Sequence, residues 1–145
     1  MVIRIICVGN LKESYLKDGV DDYLRRINKY HRTEILIIKS SNKEDESKCI
    51  LRNIKKNEYV VGLCIDGTNI NSLEFSKMID NELMVQGNIT FLIGGSCGFD
   101  ENVLGVIDKK ISFSKMTFPH GLFRIILLEQ IYRGFKIINN EEYHK

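Results

Sequence analysis

The chain has 145 residues, 43% of them hydrophobic, the size of one domain with enough apolar material for one core. Charged residues make up 28% and both signs are interleaved, with no Gly/Ser/Pro-rich stretch or block of like charge, so long disorder and a second domain are excluded. The net charge of +2 and pI near 8.3 permit nucleic-acid binding but do not by themselves call for it. Residues 3–8 are a short apolar, β-branched run closed by Gly9-Asn10, a first strand. Over 11–30 the residues Leu16, Val20, Tyr23, Leu24 and Ile27 line one stripe of an amphipathic helix. A strand follows at 34–38, then a charged loop, SSNKEDESK, leading into a weaker helix that carries Ile50, Leu51 and Ile54. Residues 59–65 (YVVGLCI) form a third strand closed by Asp66-Gly67. Asn71 stands three residues before Glu74, the spacing at which cap and carboxylate each satisfy a free backbone N–H, and the helix runs to a stop near Gly87. Residues 89–93 are a fourth strand entering the turn GGSCG at 94–98. Asp100 caps a helix carrying Val103, Leu104 and Ile107, and 111–113 is a short last strand. Pro119, the chain's single proline, introduces a helix over 121–139.

Strands that alternate with helices and are apolar almost throughout imply an α/β fold, a parallel-rich sheet with helices on both faces. Ligands of such sheets bind outside the carboxyl ends of the strands, which directs attention to the loops after Ile65, Ile93 and Phe113. No apolar run reaches the ~18 residues of a membrane span and the first residues lack the pattern of a secretory signal, so a cytoplasmic protein is expected. The cysteines Cys7, Cys49, Cys64 and Cys97 form no CxxC pair; no metal is expected, and Cys7 and Cys64 read as ordinary buried strand residues.

Three segments carry candidate chemistry. The turn 94–98 lets backbone approach a ligand, or is simply a tight strand-to-helix turn; it matches neither GxGxxG nor the P-loop pattern. Cys97 within it is a candidate nucleophile, with no histidine nearby in sequence. Residues 112–120 (SFSKMTFPH) pack three hydroxyls, a lysine, two aromatics, a methionine and His120 into a turn whose path Pro119 restricts; the plain alternative is a loop anchored by Phe118. The last helix leaves almost no polar face, which predicts burial against a second copy in a two-fold dimer. Its exceptions, Arg124, Glu129, Gln130 and Arg133, need partners. Tyr143 and His144 lie in the closing EEYHK, ordinarily a frayed tail. His31 stands in the basic stretch RRINKYHR, more often a solvated helix end than an RNA contact.

Taken together, FLIGGSCG, SFSKMTFPH, RIILLEQIYRGFKI and the closing YHK, in this order, with the opening IRIICVGNLKESY, closely resemble the RlmH family of SPOUT methyltransferases over nearly the whole chain. The resemblance implies a C-terminal trefoil knot, a homodimer, S-adenosylmethionine as cofactor, and methylation at N3 of a pseudouridine in helix 69 of bacterial 23S rRNA within the ribosome. A knot is something general topology rules would argue against. By position the family's cofactor contacts carry over to Leu63, Gly94, Phe113, Ser114, Lys115, Met116, Thr117 and Phe118. Between Ile38 and Ile50 the chain is shorter than the family pattern, which trims a loop and helix and not the knot. For catalysis, His144 with Tyr143, delivered by one subunit's tail into the other's site, is expected to orient or deprotonate the base. Arg124 is expected to stabilise developing negative charge, and His120 is the competing base. Arg25, Arg26, Lys29, Arg32, Lys109 and Lys110 are candidate phosphate contacts. Rival readings are a SPOUT enzyme acting on tRNA, a non-catalytic dimeric RNA-binding or assembly factor, and a hydrolase working through Cys97.

Overall fold

The computed structural model describes residues 1–96 and 98–145. Its elements in chain order are β1 (Ile3–Val8), α1 (Ser14–Ile27), β2 (Thr33–Ile38), α2 (Lys43–Asn53), β3 (Tyr59–Asn69), α3 (Ser72–Val85), β4 (Ile89–Ile93), α4 (Glu101–Leu104), β5 (Lys109–Ser112) and α5 (His120–Ile138). The five strands form one sheet in the order β2-β1-β4-β3-β5, and every pairing is parallel. The near-continuous apolar runs are explained by this arrangement. All residues of β1 and β4 are buried, and successive side chains serve opposite faces. Ile3, Ile5, Cys7, Phe91 and Ile93 join α1, α3 and α5 in the larger core, while Ile6, Val8 and Leu92 pack beneath α2 and α4.

The largest departure from the periodicity concerns α5. It packs against both α1 and α3, so it is the middle helix of a three-helix layer with the sheet beneath it. Gly19 permits the close approach of α1, since a Cβ there would lie 2.7 Å from Ile125 Cδ1. A helix apolar on almost every side is thus buried largely within its own chain, and the argument for a second copy from composition alone loses most of its force. What remains half-buried or exposed is Leu122, Phe123, Ile125, Ile126, Ile137 and Ile138.

Boundaries also move for physical reasons. α2 begins inside the expected charged loop, because Asn42 accepts the Asp45 N–H at 2.8 Å as an N-cap and Glu44, Asp45 and Glu46 favour the positive end of the helix dipole. β3 does not stop at Asp66-Gly67 but continues to Asn69. Leu63 and Thr68 both pair with Ile111, so the intervening residues bulge out of the ladder. Gly67 is required there: a Cβ would lie 2.6 Å from the Ile111 carbonyl carbon. The expected capping box at α3 is present, Asn71 Oδ1 accepting from Glu74 N–H while Glu74 Oε1 accepts from Asn71 N–H. α4 is a single turn capped by Asp100 and leaves Ile107 outside it.

Candidate active site

A cavity of about 440 Å³ opens at the carboxyl ends of β3, β4 and β5. That location follows from the parallel sheet, whose strand ends and following turns present backbone groups and helix starts to a ligand. The volume falls in the range of roughly 300–1,000 Å³ usual for small-molecule sites. Of the eight residues expected to hold the cofactor, Leu63, Gly94, Phe113, Ser114, Met116, Thr117 and Phe118 line it, as does His120. Lys115 is exposed and does not line the cavity. The β3 bulge adds Cys64, Ile65 and Asp66 to the wall; Ser112 joins it from the 112–120 segment singled out in the sequence, and Phe99, Leu104 and Phe123 line it from outside the motifs. The carboxyl-end rule was the available signal for Ile65 and Asp66; for Phe123, deep in the helix pattern, there was none.

The loop after β5 holds its shape with its own hydroxyls. Ser112 Oγ donates to the Ser114 carbonyl at 2.8 Å, and Ser114 Oγ accepts the Met116 N–H at 3.0 Å. Phe123 sits in a row between Phe113 at 5.6 Å and Phe118 at 6.1 Å, the second pair stacked. At Gly94 a Cβ would come within 3.1 Å of the Phe99 ring, so any side chain there would have to push the ring aside. Aromatic planes, apolar walls and a glycine turn suit a ligand with a flat heterocycle and a partly apolar chain.

Cys64 is half-buried on the cavity wall and not fully within the core as expected; burial chiefly, then Asp66, pushes its thiol above the ordinary value. Burial likewise raises the Cys7 thiol, partly offset by Arg124. Both are poor thiolates. Cys97 lies outside the described residues.

Arg124 is placed differently from the expectation that it faces a substrate base. It is 3% exposed, and its Nη2 donates to the carbonyls of Val8, at 2.9 Å, and Gly9, fastening α5 to the turn after β1. Its Nε and Nη1 have no hydrogen-bond partner among the described residues, and it does not line the cavity.

Tyr143 and His144 lie elsewhere again, on the second half of α5. Tyr143 Oη donates to Glu129 Oε1 at 3.1 Å and its ring meets Tyr132 edge-on at 5.0 Å. Burial, then Glu129, pushes its phenol up to about 12. Arg133 donates to Glu129 through Nε and Nη2 at 3.0 and 2.6 Å, and through Nη1 to His144 Nδ1 at 3.1 Å. Because a guanidinium only donates, Nδ1 must carry the lone pair, which puts the ring proton on Nε2 in this arrangement. Lys136 and Tyr30 tie Glu141 down at 2.8 and 2.9 Å and depress its carboxyl. Along α5, His120 and Arg133 are about 20 Å apart at 1.5 Å per residue, so one chain does not bring tail and cavity together.

Among the candidate phosphate contacts, Arg25 and Arg26 pair with Asp22, Arg32 with Glu34 and Lys110 with Asp66, all near the surface. Such exposed pairs are weak and leave the cations free to exchange partners. No helix among the described residues is long and apolar enough to cross a membrane.

The chain thus combines a five-stranded parallel sheet with a cavity across the ends of three neighbouring strands. The family model for predicted SPOUT methyltransferases matches residues 1–144. A relative from Clostridium perfringens, "Ribosomal RNA large subunit methyltransferase H 1", is 45% identical, and one from Clostridium kluyveri, "Ribosomal RNA large subunit methyltransferase H", is 46% identical; each alignment covers 100% of both chains over 159 positions. The chain belongs to the SPOUT methyltransferases and, within them, to the RlmH family. Among solved structures, a methylase family protein from Haemophilus influenzae has a TM-score of 0.58 at 14% identity, covering 99% of this chain and 70% of that one. A TrmH/SpoU tRNA modifying enzyme from A. aeolicus has a TM-score of 0.52 at 12% identity, covering 94% and 77%. These two likenesses concern the fold.

Proposed function

We propose that this chain methylates N3 of pseudouridine 1915 in helix 69 of 23S rRNA on the assembled ribosome, in the cytoplasm, as a homodimer with the knotted C-terminal part its family resemblance implies. The observation that carries the reading is the cavity itself, where seven of the eight carried-over cofactor positions meet around one space. Full-length identity near 45% to proteins named for ribosomal RNA methylation supports the substrate class.

S-adenosylmethionine, when bound, supplies an electrophilic methyl group on a sulfonium. Leu63, Gly94 and the 113–118 loop would hold it, chiefly through backbone groups and the Phe113, Phe118 and Phe123 rings. The chemistry it would supply is methylation of N3 by in-line displacement, for which the protein's own groups would have to align the base and take up the N3 proton. Alignment of the two partners can contribute on the order of 7–11 kcal/mol. His120 stands at the cavity rim and is the base candidate present in the same chain. His144 and Tyr143 would act on the partner's cavity, since their own lies too far along α5. With Arg133 on Nδ1, His144 offers an N–H from Nε2, suited to orienting a base carbonyl; acceptance of the N3 proton requires that Arg133 let go. Tyr143, its phenol held neutral and its O–H given to Glu129, would serve as a stacking surface. Arg124 acts indirectly, by holding the β1 turn against α5. Exposed cations such as Lys109 and Lys110 would meet phosphates, making affinity fall as salt rises.

The test is transfer of labelled methyl groups to whole ribosomes, free rRNA and free tRNA, with the modified base identified. Label in pseudouridine of ribosomes alone is expected. Label in tRNA instead would replace the substrate, and a protein that binds no S-adenosylmethionine at millimolar concentration is no methyltransferase.

A further inference from the structure

Behind the glycine turn lies a side chain to which the mechanism gives no task. Glu46, in α2, is 4% exposed. Its Oε2 accepts the Ser41 N–H at 2.9 Å, but Oε1 has no hydrogen-bond partner among the described residues. That free oxygen faces the turn: a Cβ built on Gly95 would lie 3.0 Å from it, with Val8 Cγ1 at 3.2 Å. Gly95 lines the cavity and Glu46 does not, so Gly95 stands between them. The next residue, Ser47, donates to Asp100 Oδ1 at 2.5 Å, and the same oxygen caps α4 at Val103 N–H. Two successive residues of α2 therefore reach the stretch between β4 and α4, Glu46 at Gly95 and Ser47 at the α4 cap Asp100.

A buried acceptor left without a donor costs free energy, more so on a carboxylate, and one that persists needs a reason. Glu46 Oε1 and Val8 Cγ1 together crowd the place a Cβ at Gly95 would take, so the turn lies directly against the free oxygen. The close approach of Oε1 to bare backbone points to a task at the turn.

We propose that Glu46 is a positioning residue for the methyl-donor site: its free carboxylate oxygen accepts a backbone N–H of the glycine turn when the cavity is filled, locking the turn in its ligand-holding shape. The inference rests on the reading of the cavity as the S-adenosylmethionine site. It extends that site to a helix beneath the opposite face of the sheet from α5.

The test is calorimetry with S-adenosylmethionine on the full chain, wild type and Glu46→Gln, with the melting temperature of each and hydrogen exchange at the Ser41 amide. Gln keeps the size but has a donor at one end, so either Ser41 or the turn loses its acceptor. For Glu46→Gln, cofactor Kd and KM are expected to rise about tenfold, with kcat at saturating cofactor within about twofold and melting little changed, as befits one lost charge-assisted hydrogen bond. In the wild type, cofactor should slow exchange at Ser41, a residue off the cavity that is linked to it through Glu46; in Glu46→Gln it should not. An unchanged Kd in a folded Glu46→Gln overturns the proposal, as does Ser41 exchange indifferent to cofactor in the wild type. Should Glu46→Gln fail to fold, the wild-type exchange alone decides. A wild type that binds no cofactor overturns the cavity reading beneath it, a result distinct from a wild type that binds and a variant that binds equally well.

Discussion

The cavity and the tail cluster are built from different materials. Around the cavity the polar work falls to backbone, to glycines where a Cβ does not fit, and to hydroxyls spent on the loop's own shape, with aromatic rings as walls. On the second half of α5 the work falls to side chains: Glu129 binds Arg133 and Tyr143, and Arg133 binds His144. The first is complete within one chain because it follows from the path of three adjacent strands. The second is polar, well partnered and remote from the cavity of its own chain. A methyl donor can thus be held by fold alone, whereas the groups that would handle the acceptor base require two distant parts to meet.

Loss of the tail's histidine should separate the two regions most sharply. His144→Ala is expected to lower single-turnover methylation of ribosomes by roughly 10²–10⁴, the usual reach of a general acid–base or orienting group, while calorimetric cofactor affinity stays unchanged. Full single-turnover activity would remove the tail from the mechanism. Next in size is Arg124→Ala, which strips donors from the Val8 and Gly9 carbonyls in a buried place and should cost about 2–3 kcal/mol in a urea melt. An unaltered melt with abolished turnover would return Arg124 to a role at the base.

The smallest effect concerns pH. Glu141, whose ordinary value is 4.5, is held lower by Lys136 and then Tyr30. A depressed carboxyl favours the folded arrangement above its ordinary value, and the contribution is lost as pH falls through the lowered one. Lys136, ordinarily 10.5, is raised by Glu141 first, so its share is present below 10.5 and lost only at still higher pH. The tail should therefore stay anchored through the neutral range and loosen in acid below the ordinary carboxylate value. NMR shifts of the Tyr143 ring would follow this, and a tail already free at pH 7 would contradict it.

Much of the fold was legible because its signals are local. Apolar runs in β1 and β4, the Asn71–Glu74 capping pair and the turn after β4 each announce themselves within a few residues. The carboxyl-end rule then placed the cavity. What could not be read depends on which elements become neighbours. Nothing in the α5 pattern says that α1 and α3 will flank it, so an all-round apolar helix looked like a dimer face. Arg124 was visible as a residue in need of a partner, but not which one, because the Val8 and Gly9 carbonyls that hold it come from the other end of the chain. Glu46 and Ser47 sat in a stretch whose charge suggested solvent, yet both are buried once Asn42 starts α2 early. The bulge that puts Asp66 on the cavity wall arises from pairing with β5, a partner more than forty residues away.

The central claim, that one chain's cavity works with the other chain's tail, is tested most directly by mixing two dead proteins. One carries His144→Ala and the other Gly94→Trp, which fills the turn beside Phe99. After subunit exchange, about half of a two-fold dimer population is mixed, and each mixed dimer has one cavity and one tail that are both intact and lie on opposite chains. The account predicts that each variant alone fails to methylate ribosomes and that the mixture recovers about a quarter of wild-type activity. A mixture as inactive as its components, with mixed dimers shown to be present, would contradict it.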